Sequence, residues 1–244
     1  MKKKFAVCFS GYPRFVRKTF EKIKENFLDG LGSYDIFANF QWRDDWKETK
    51  IHHAFNDKFE VNELRDFIDI YTPLNVKKIE VIEPYSFDVS NYEKLSLELD
   101  MQLTLEQSRD QFYRSKCQYQ GILDCLNLIE NFDDYEYFVR MRTDLIFPNK
   151  IDMKNLETDS ILCQNGFVAG WDRRFCDWFF IVPRHQLQFY NDLANLEEEY
   201  KDGIVHMHKL IDKLGKPYGM ENHEFYVGVP TTTNYLGSLL KEMK

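Results

Sequence analysis

Glycine and proline are scarce, at 11 and 7 of 244 residues, which excludes long flexible linkers and low-complexity tracts. A basic surplus is missing too. Against 32 Lys and Arg stand 40 Asp and Glu, a net charge of −8, which makes non-specific polyanion binding a poor first expectation and nucleic acid no expected partner. The five cysteines are odd in number and none is paired as C-x-x-C, which argues against a disulfide scaffold or a zinc site. Cys8, Cys117, Cys125, Cys163 and Cys176 read instead as buried free thiols in a reducing compartment. Long apolar runs are absent as well. The longest uncharged stretch, 225–240, holds Pro230, three successive threonines and Asn234, which no bilayer-spanning helix tolerates well. Near the amino end, residues 5–9 are too short an apolar run for a signal peptide and stop at Ser10 and Gly11. A cytoplasmic protein is expected, with peripheral contact at the inner face of the membrane left open. Neither G-x-G-x-x-G nor G-x-x-x-x-G-K-[ST] occurs, which removes the main support for a dehydrogenase or a P-loop kinase.

What the chain does have is 43% hydrophobic, 16% aromatic and 30% charged residues, enough for a real core beneath a soluble surface. A short apolar run at 5–9 ends in a turn and is followed by helical spacing over 15–28, through Phe15, Phe20, Ile23 and Phe27. The same order returns as a strand at 34–40, a helix at 61–71 and a strand at 78–82. A polar, irregular stretch at 85–105 suits a loop near a site or a surface excursion. Beyond it a long helix over 106–129 leads into 135–147, the strongest strand signal in the chain. Strands at 160–163 and 178–182 and helices at 185–200 and 205–214 follow. Strands alternating with helices predict an α/β fold with an open, mixed, mostly parallel sheet covered by helices on both faces, in one domain over 1–244. The short strands of the second half are the ones that would pair antiparallel.

Chemistry concentrates in Arg140-Met-Arg-Thr-Asp-Leu145. A period of two puts Arg140, Arg142 and Asp144 on one face of the expected strand, with Met141, Thr143 and Leu145 on the other. Two readings stand side by side. The three charges form a structural ion-pair ladder, or they emerge at the carboxyl end of a central strand, where doubly wound sheets bind ligands. A carboxylate there can hold a divalent cation, and an arginine beside it can grip phosphate oxygens in fork geometry.

Taken with the first strand's ending Ser10-Gly11-Tyr12-Pro13-Arg14 and the second strand's Tyr34-Asp-Ile-Phe-Ala-Asn-Phe40, the segment Arg140 to Leu145 resembles glycosyltransferases of the GT-A (Rossmann-like) fold. More narrowly, it resembles the surface-glycan enzymes whose central strand reads R-x-R-x-D-L. The resemblance implies transfer of a sugar from a nucleoside-diphosphate sugar to a glycan or lipid-linked acceptor, in polysaccharide or lipopolysaccharide synthesis, with Mn²⁺ or Mg²⁺ on the diphosphate. By it Asp144 takes the metal role and His223 completes the metal site. Ser10, Gly11, Arg14, Arg140 and Arg142 contact the nucleotide. The usual acidic pair would place a carboxylate at position 142. This chain has Arg142 there, available for part of the cation's work.

Leaving-group charge on the diphosphate calls for fixed positive groups, and attack by an acceptor hydroxyl calls for a carboxylate base. For the base the resemblance points to Asp177, with Asp172 as the second candidate. Trp171 is a stacking platform for a sugar or base, and Glu221 and Glu224 shape the acceptor pocket. His206 and His208 are two residues apart, so a helix turns them about 200° away from each other, a poor metal pair. Two other readings are a GT-A-like glycan-binding subunit without activity and a two-carboxylate glycoside hydrolase.

Overall fold

The computed structural model describes residues 4–43, 50–52, 55–58, 63–93, 97–98, 101–164, 178–195, 211 and 213–223. In chain order the elements are β1 (Lys4–Gly11), then α1 (Val16–Ile23), which runs through a π-helical turn (Lys24–Leu28) into α2 (Asp29–Leu31), and β2 (Ser33–Gln41). Next come the ribbon of β3 (Lys50–His52) and β4 (Phe55–Lys58), α3 (Glu63–Tyr71), β5 (Val76–Ile82), and a second small ribbon of β6 (Leu97–Glu98) and β7 (Met101–Gln102). The rest is α4 (Leu105–Leu126), β8 (Tyr137–Met141), β9 (Leu162–Gln164), β10 (Phe180–Pro183), α5 (Gln188–Ala194) and β11 (Glu221–His223).

One seven-stranded sheet, ordered β11-β9-β10-β8-β1-β2-β5, organises the chain. β1 pairs in parallel with β2 and β8, β2 with β5, and β11 with β9, while β10 runs antiparallel to β8 and β9. The expected mixed, mostly parallel α/β sheet is therefore present. Its connections lay β1, β2 and β5 outward in one direction, then return through α4 to put β8 on the other side of β1. The strand order reverses at β1, and the carboxyl ends of β1 and β8 flank the crevice that such a reversal opens.

Both faces are covered. Residues 5–10 of β1 are all buried, as expected of a strand sandwiched between helical layers. Ala6, Cys8, Phe37, Phe138, Phe180 and Val182 face α4 and α5, whose Phe112, Tyr119, Ile122, Cys125, Phe189 and Leu193 pack on them. Phe5, Val7, Phe9, Ile36, Phe40, Val139 and Met141 face the other way, against Val16, Ile23, Phe27, Phe67 and Tyr71. α4 starts where Thr104 caps it: its hydroxyl accepts from the Gln107 amide at 3.2 Å, and the Gln107 side chain accepts from the Thr104 amide at 2.9 Å. Cys8, Cys117, Cys125 and Cys163 are buried free thiols, as expected, and Cys176 lies outside the described residues.

Several boundaries differ from the sequence reading. The helix expected over 15–28 begins one residue later, behind a left-handed Phe15, and widens to a π turn at Lys24–Leu28. There Asn26, which a continuous α-helix would not single out, donates to the Phe147 carbonyl at 2.5 Å. The strand expected over 135–147 ends at Met141, because its partner β1 turns away at Gly11 (φ 102°) and residues 142–145 find side-chain partners instead of a ladder. The segment 85–93 lies against α4: Tyr92 stacks on Phe112 at 4.7 Å, and the Tyr85 hydroxyl donates to Asp124 at 2.5 Å. The helix expected at 185–200 is a 3-10 turn (Arg184–Gln186) followed by α5, and most of the one expected at 205–214 lies outside the described residues.

Candidate functional site

At the crevice between β1 and β8 the chain builds a cationic cluster on one carboxylate. Asp144 is 1% exposed. Its Oδ1 accepts from Arg142 Nε at 2.8 Å, and its Oδ2 accepts from Arg142 Nη2 at 2.6 Å and from Arg14 Nη2 at 3.0 Å. Arg142 thus closes a two-point fork on a residue two positions away. Its guanidinium also lies 5.7 Å from the centre of the Trp178 ring, within cation–π range.

Thr143, between these two residues, grips the backbone of Arg14. Its hydroxyl accepts from the Arg14 amide at 2.8 Å and donates to the Arg14 carbonyl at 3.0 Å, while the Thr143 carbonyl accepts from the Thr19 hydroxyl at 2.5 Å. Thr143 and Asp144 therefore fix Arg14 by main chain and side chain together. Phe15, the next residue, has φ 53°, a left-handed conformation that disfavours a non-glycine side chain by about 1 kcal/mol or more. The surrounding bonds hold it there. The amino end of α1 is already supplied with a carboxylate, since buried Glu63 accepts from the Val16 amide at 2.9 Å.

Electrostatics separates the partners. Burial alone would raise the Asp144 pKa, but Arg14 and Arg142 outweigh it and hold the carboxyl at about 2, fully ionised at neutral pH. For Arg14 burial wins: it pushes the guanidinium down to about 10 against the attraction of Asp144, and Arg142 and Arg140 add repulsion. Three positive groups thus act on each other around one negative one. Buried Ser10 Oγ and Arg14 Nε have no hydrogen-bond partner among the described residues.

Of the expected site residues, the structure brings together Arg14, Arg142 and Asp144, with Ser10 and Gly11 at the end of the neighbouring β1. Arg140 sits deeper. It is 2% exposed, inside the layer facing α4, and donates from Nη1 to the Trp178 carbonyl at 2.5 Å. Its part at the crevice is the charge that Arg14 senses. Glu221 is not assembled with this set. It lies at the start of edge strand β11, three strands from β8, where the Ser160 hydroxyl donates to it at 2.7 Å. At the usual strand spacing that separation is about 14 Å. The backbone of His223, also on edge strand β11, pairs with Gln164 of β9. Trp171, Asp172, Asp177 and Glu224 lie outside the described residues.

A divalent cation does not fit the donor set as placed. Both oxygens of Asp144 are taken by guanidinium donors, and among the described residues no group of three His, Cys, Asp or Glu side chains gathers to hold a metal. Thr143 was missed by the sequence reading because strand alternation assigned it to the opposite face. Its neighbours in Arg-Thr-Asp were the only signal. Thr19 carried none.

The chain matches no protein-family model, and no curated protein matches it in sequence. Among solved structures, a glycosyltransferase involved in glycosylation of the major capsid of PBCV-1 aligns over 91% of this chain and 82% of its own, at 12% identity and TM-score 0.45. The apo form of the glycosyltransferase GlyE of Streptococcus pneumoniae TIGR4 aligns over 92% of this chain at 12% identity and TM-score 0.47, and the chain spans 46% of that protein's length. At these values the likeness fixes neither a family nor an activity. Among the described residues no helix is long and apolar enough to cross a membrane.

Proposed function

We propose that this chain is a glycosyltransferase that moves a sugar from a nucleoside-diphosphate sugar to a glycan or lipid-linked acceptor, with the diphosphate seated at the crevice between β1 and β8. The observation that carries the reading is the cluster of Arg14 and Arg142 on Asp144, beyond the carboxyl ends of two central parallel strands and at the point where strand order reverses.

The chemistry suits the residues. As the bond from the anomeric carbon to the diphosphate oxygen breaks, negative charge grows on the leaving phosphate, and fixed guanidiniums stabilise that charge without reorganising. Arg142 is pinned by a two-point fork and Arg14 by three contacts through Thr143 and Asp144, so both are preorganised. Their side chains are 19% and 14% exposed, within reach of a ligand yet largely shielded from water. Asp177 and Asp172 are proposed as base or acceptor contact, by their position before β10. Thermal melts against a panel of nucleoside diphosphates and nucleotide sugars test the reading, and a panel that leaves the melting temperature unmoved overturns it.

A further inference from the structure

We infer that the donor diphosphate is neutralised by Arg14 and Arg142 in place of a divalent cation, with Asp144 a positioning residue that holds the two guanidiniums side by side, so that donor binding needs no metal. This rests on the nucleotide-sugar reading and adds to it what carries the positive charge.

Coordination is the first reason. Mg²⁺ takes carboxylate oxygens at about 2.0–2.1 Å in a near-octahedral shell that keeps several waters. Asp144 is 1% exposed, and its oxygens already accept three charged hydrogen bonds between 2.6 and 3.0 Å. A cation would have to displace two arginines from the carboxylate it binds. The position from which a second carboxylate would have helped is itself Arg142.

Charge is the second reason. Arg14 and Arg142 both bear on Asp144, and the two guanidiniums repel each other. A dication placed beside them would add to that repulsion, while a diphosphate would relieve it. The third reason is the unmet donor. Arg14 Nε is buried with no partner among the described residues, so the cluster lacks an acceptor rather than a cation. Arginine is also the side chain whose fork matches phosphate oxygens in pairs.

Titration calorimetry of the full chain with UDP, GDP, ADP, CDP and dTDP, each in excess EDTA and again in Mn²⁺, decides the matter. The expected result is that one nucleotide binds in EDTA, with a dissociation constant within about threefold of that in Mn²⁺. Arg142→Gln is expected to weaken binding about 30-fold or more in both buffers, the range for truncating one partner of a buried charge pair. Arg142→Lys keeps the charge, guards against loss of folding, and is expected to bind more weakly than wild type and still without metal. Binding that appears only with Mn²⁺ overturns the inference and leaves the nucleotide-sugar reading standing. No binding by any nucleotide in either buffer overturns both.

Discussion

Replacing Asp144 with asparagine keeps the side chain's shape and removes the one negative charge that Arg14 and Arg142 share. In the folded chain the carboxyl lies at about 2 instead of 3.8. That difference corresponds to about 2 kcal/mol of stability. Because the folded value is depressed, the contribution is complete above the unfolded value near 4 and is lost as pH falls towards 2, with about half gone by pH 3. The variant loses this term at neutral pH and also leaves two guanidiniums buried without their carboxylate. Breaking a buried pair in that way costs about 3–5 kcal/mol. For a domain of this size the melting temperature should drop by about 6–20 °C.

Urea unfolding of wild type and Asp144→Asn at a series of pH values between 3 and 7 reads both parts. The gap between the two proteins should be widest near pH 7 and narrow by about 1 kcal/mol at pH 3. Adding Arg142→Met to Asp144→Asn should recover stability relative to simple addition, since one unpaired cation is then removed. Equal urea midpoints for wild type and Asp144→Asn at pH 7 would refute the charge account, as would a gap that does not change with pH.

Thr143→Val removes both bonds to the Arg14 main chain and leaves a buried amide and carbonyl short of partners, so we expect a loss of about 1–3 kcal/mol in chemical unfolding together with weaker nucleotide binding. A loss of stability with unchanged binding would show that Thr143 holds the fold but not Arg14. At Gly30 an added Cβ would stand 1.8 Å from the Ile151 carbonyl oxygen, in a turn where Met153 donates to the Gly30 carbonyl at 3.0 Å. Gly30→Ala should therefore destabilise by about 1–3 kcal/mol or more through backbone displacement, measured as a fall in melting temperature.

Much of the frame was legible because burial on both faces leaves apolar runs. Phe5 to Phe9 and Ile36 to Phe40 read as strands for that reason, and the helical spacing of Phe112, Tyr119, Ile122 and Leu126 gave α4 nearly to its ends. Its start at Leu105, one residue before the expected 106, is where Thr104 and Gln107 cap each other. What failed was decided by contacts distant in sequence. Leu145, Ile146 and Phe147 continue an apolar pattern, so nothing local ends β8. The turn arises because Thr143 bonds to Arg14, 129 residues away, and because β1 bends off at Gly11. For the same reason period-two alternation grouped Arg140 with Arg142 and Asp144, whereas the turn leaves Arg140 in the core. Arg14 was singled out by the resemblance from its place after the first strand, and the structure sets it against Asp144. Its pairing with Asp144 depends on the sheet order, which brings β8 beside β1, and no local pattern encodes that.

The central claim is that the Arg14 and Arg142 crevice binds an activated sugar donor. Thermal melts of wild type and Arg142→Gln with nucleoside diphosphates and their sugars, with and without Mn²⁺, test it most directly. A donor present at 100 times its dissociation constant adds about 2.7 kcal/mol, which should raise the wild-type melting temperature by about 5–11 °C and that of Arg142→Gln, at the same concentration, by about 3 °C or less. A wild-type melting temperature indifferent to every nucleotide, or an equal rise in Arg142→Gln, would contradict the claim.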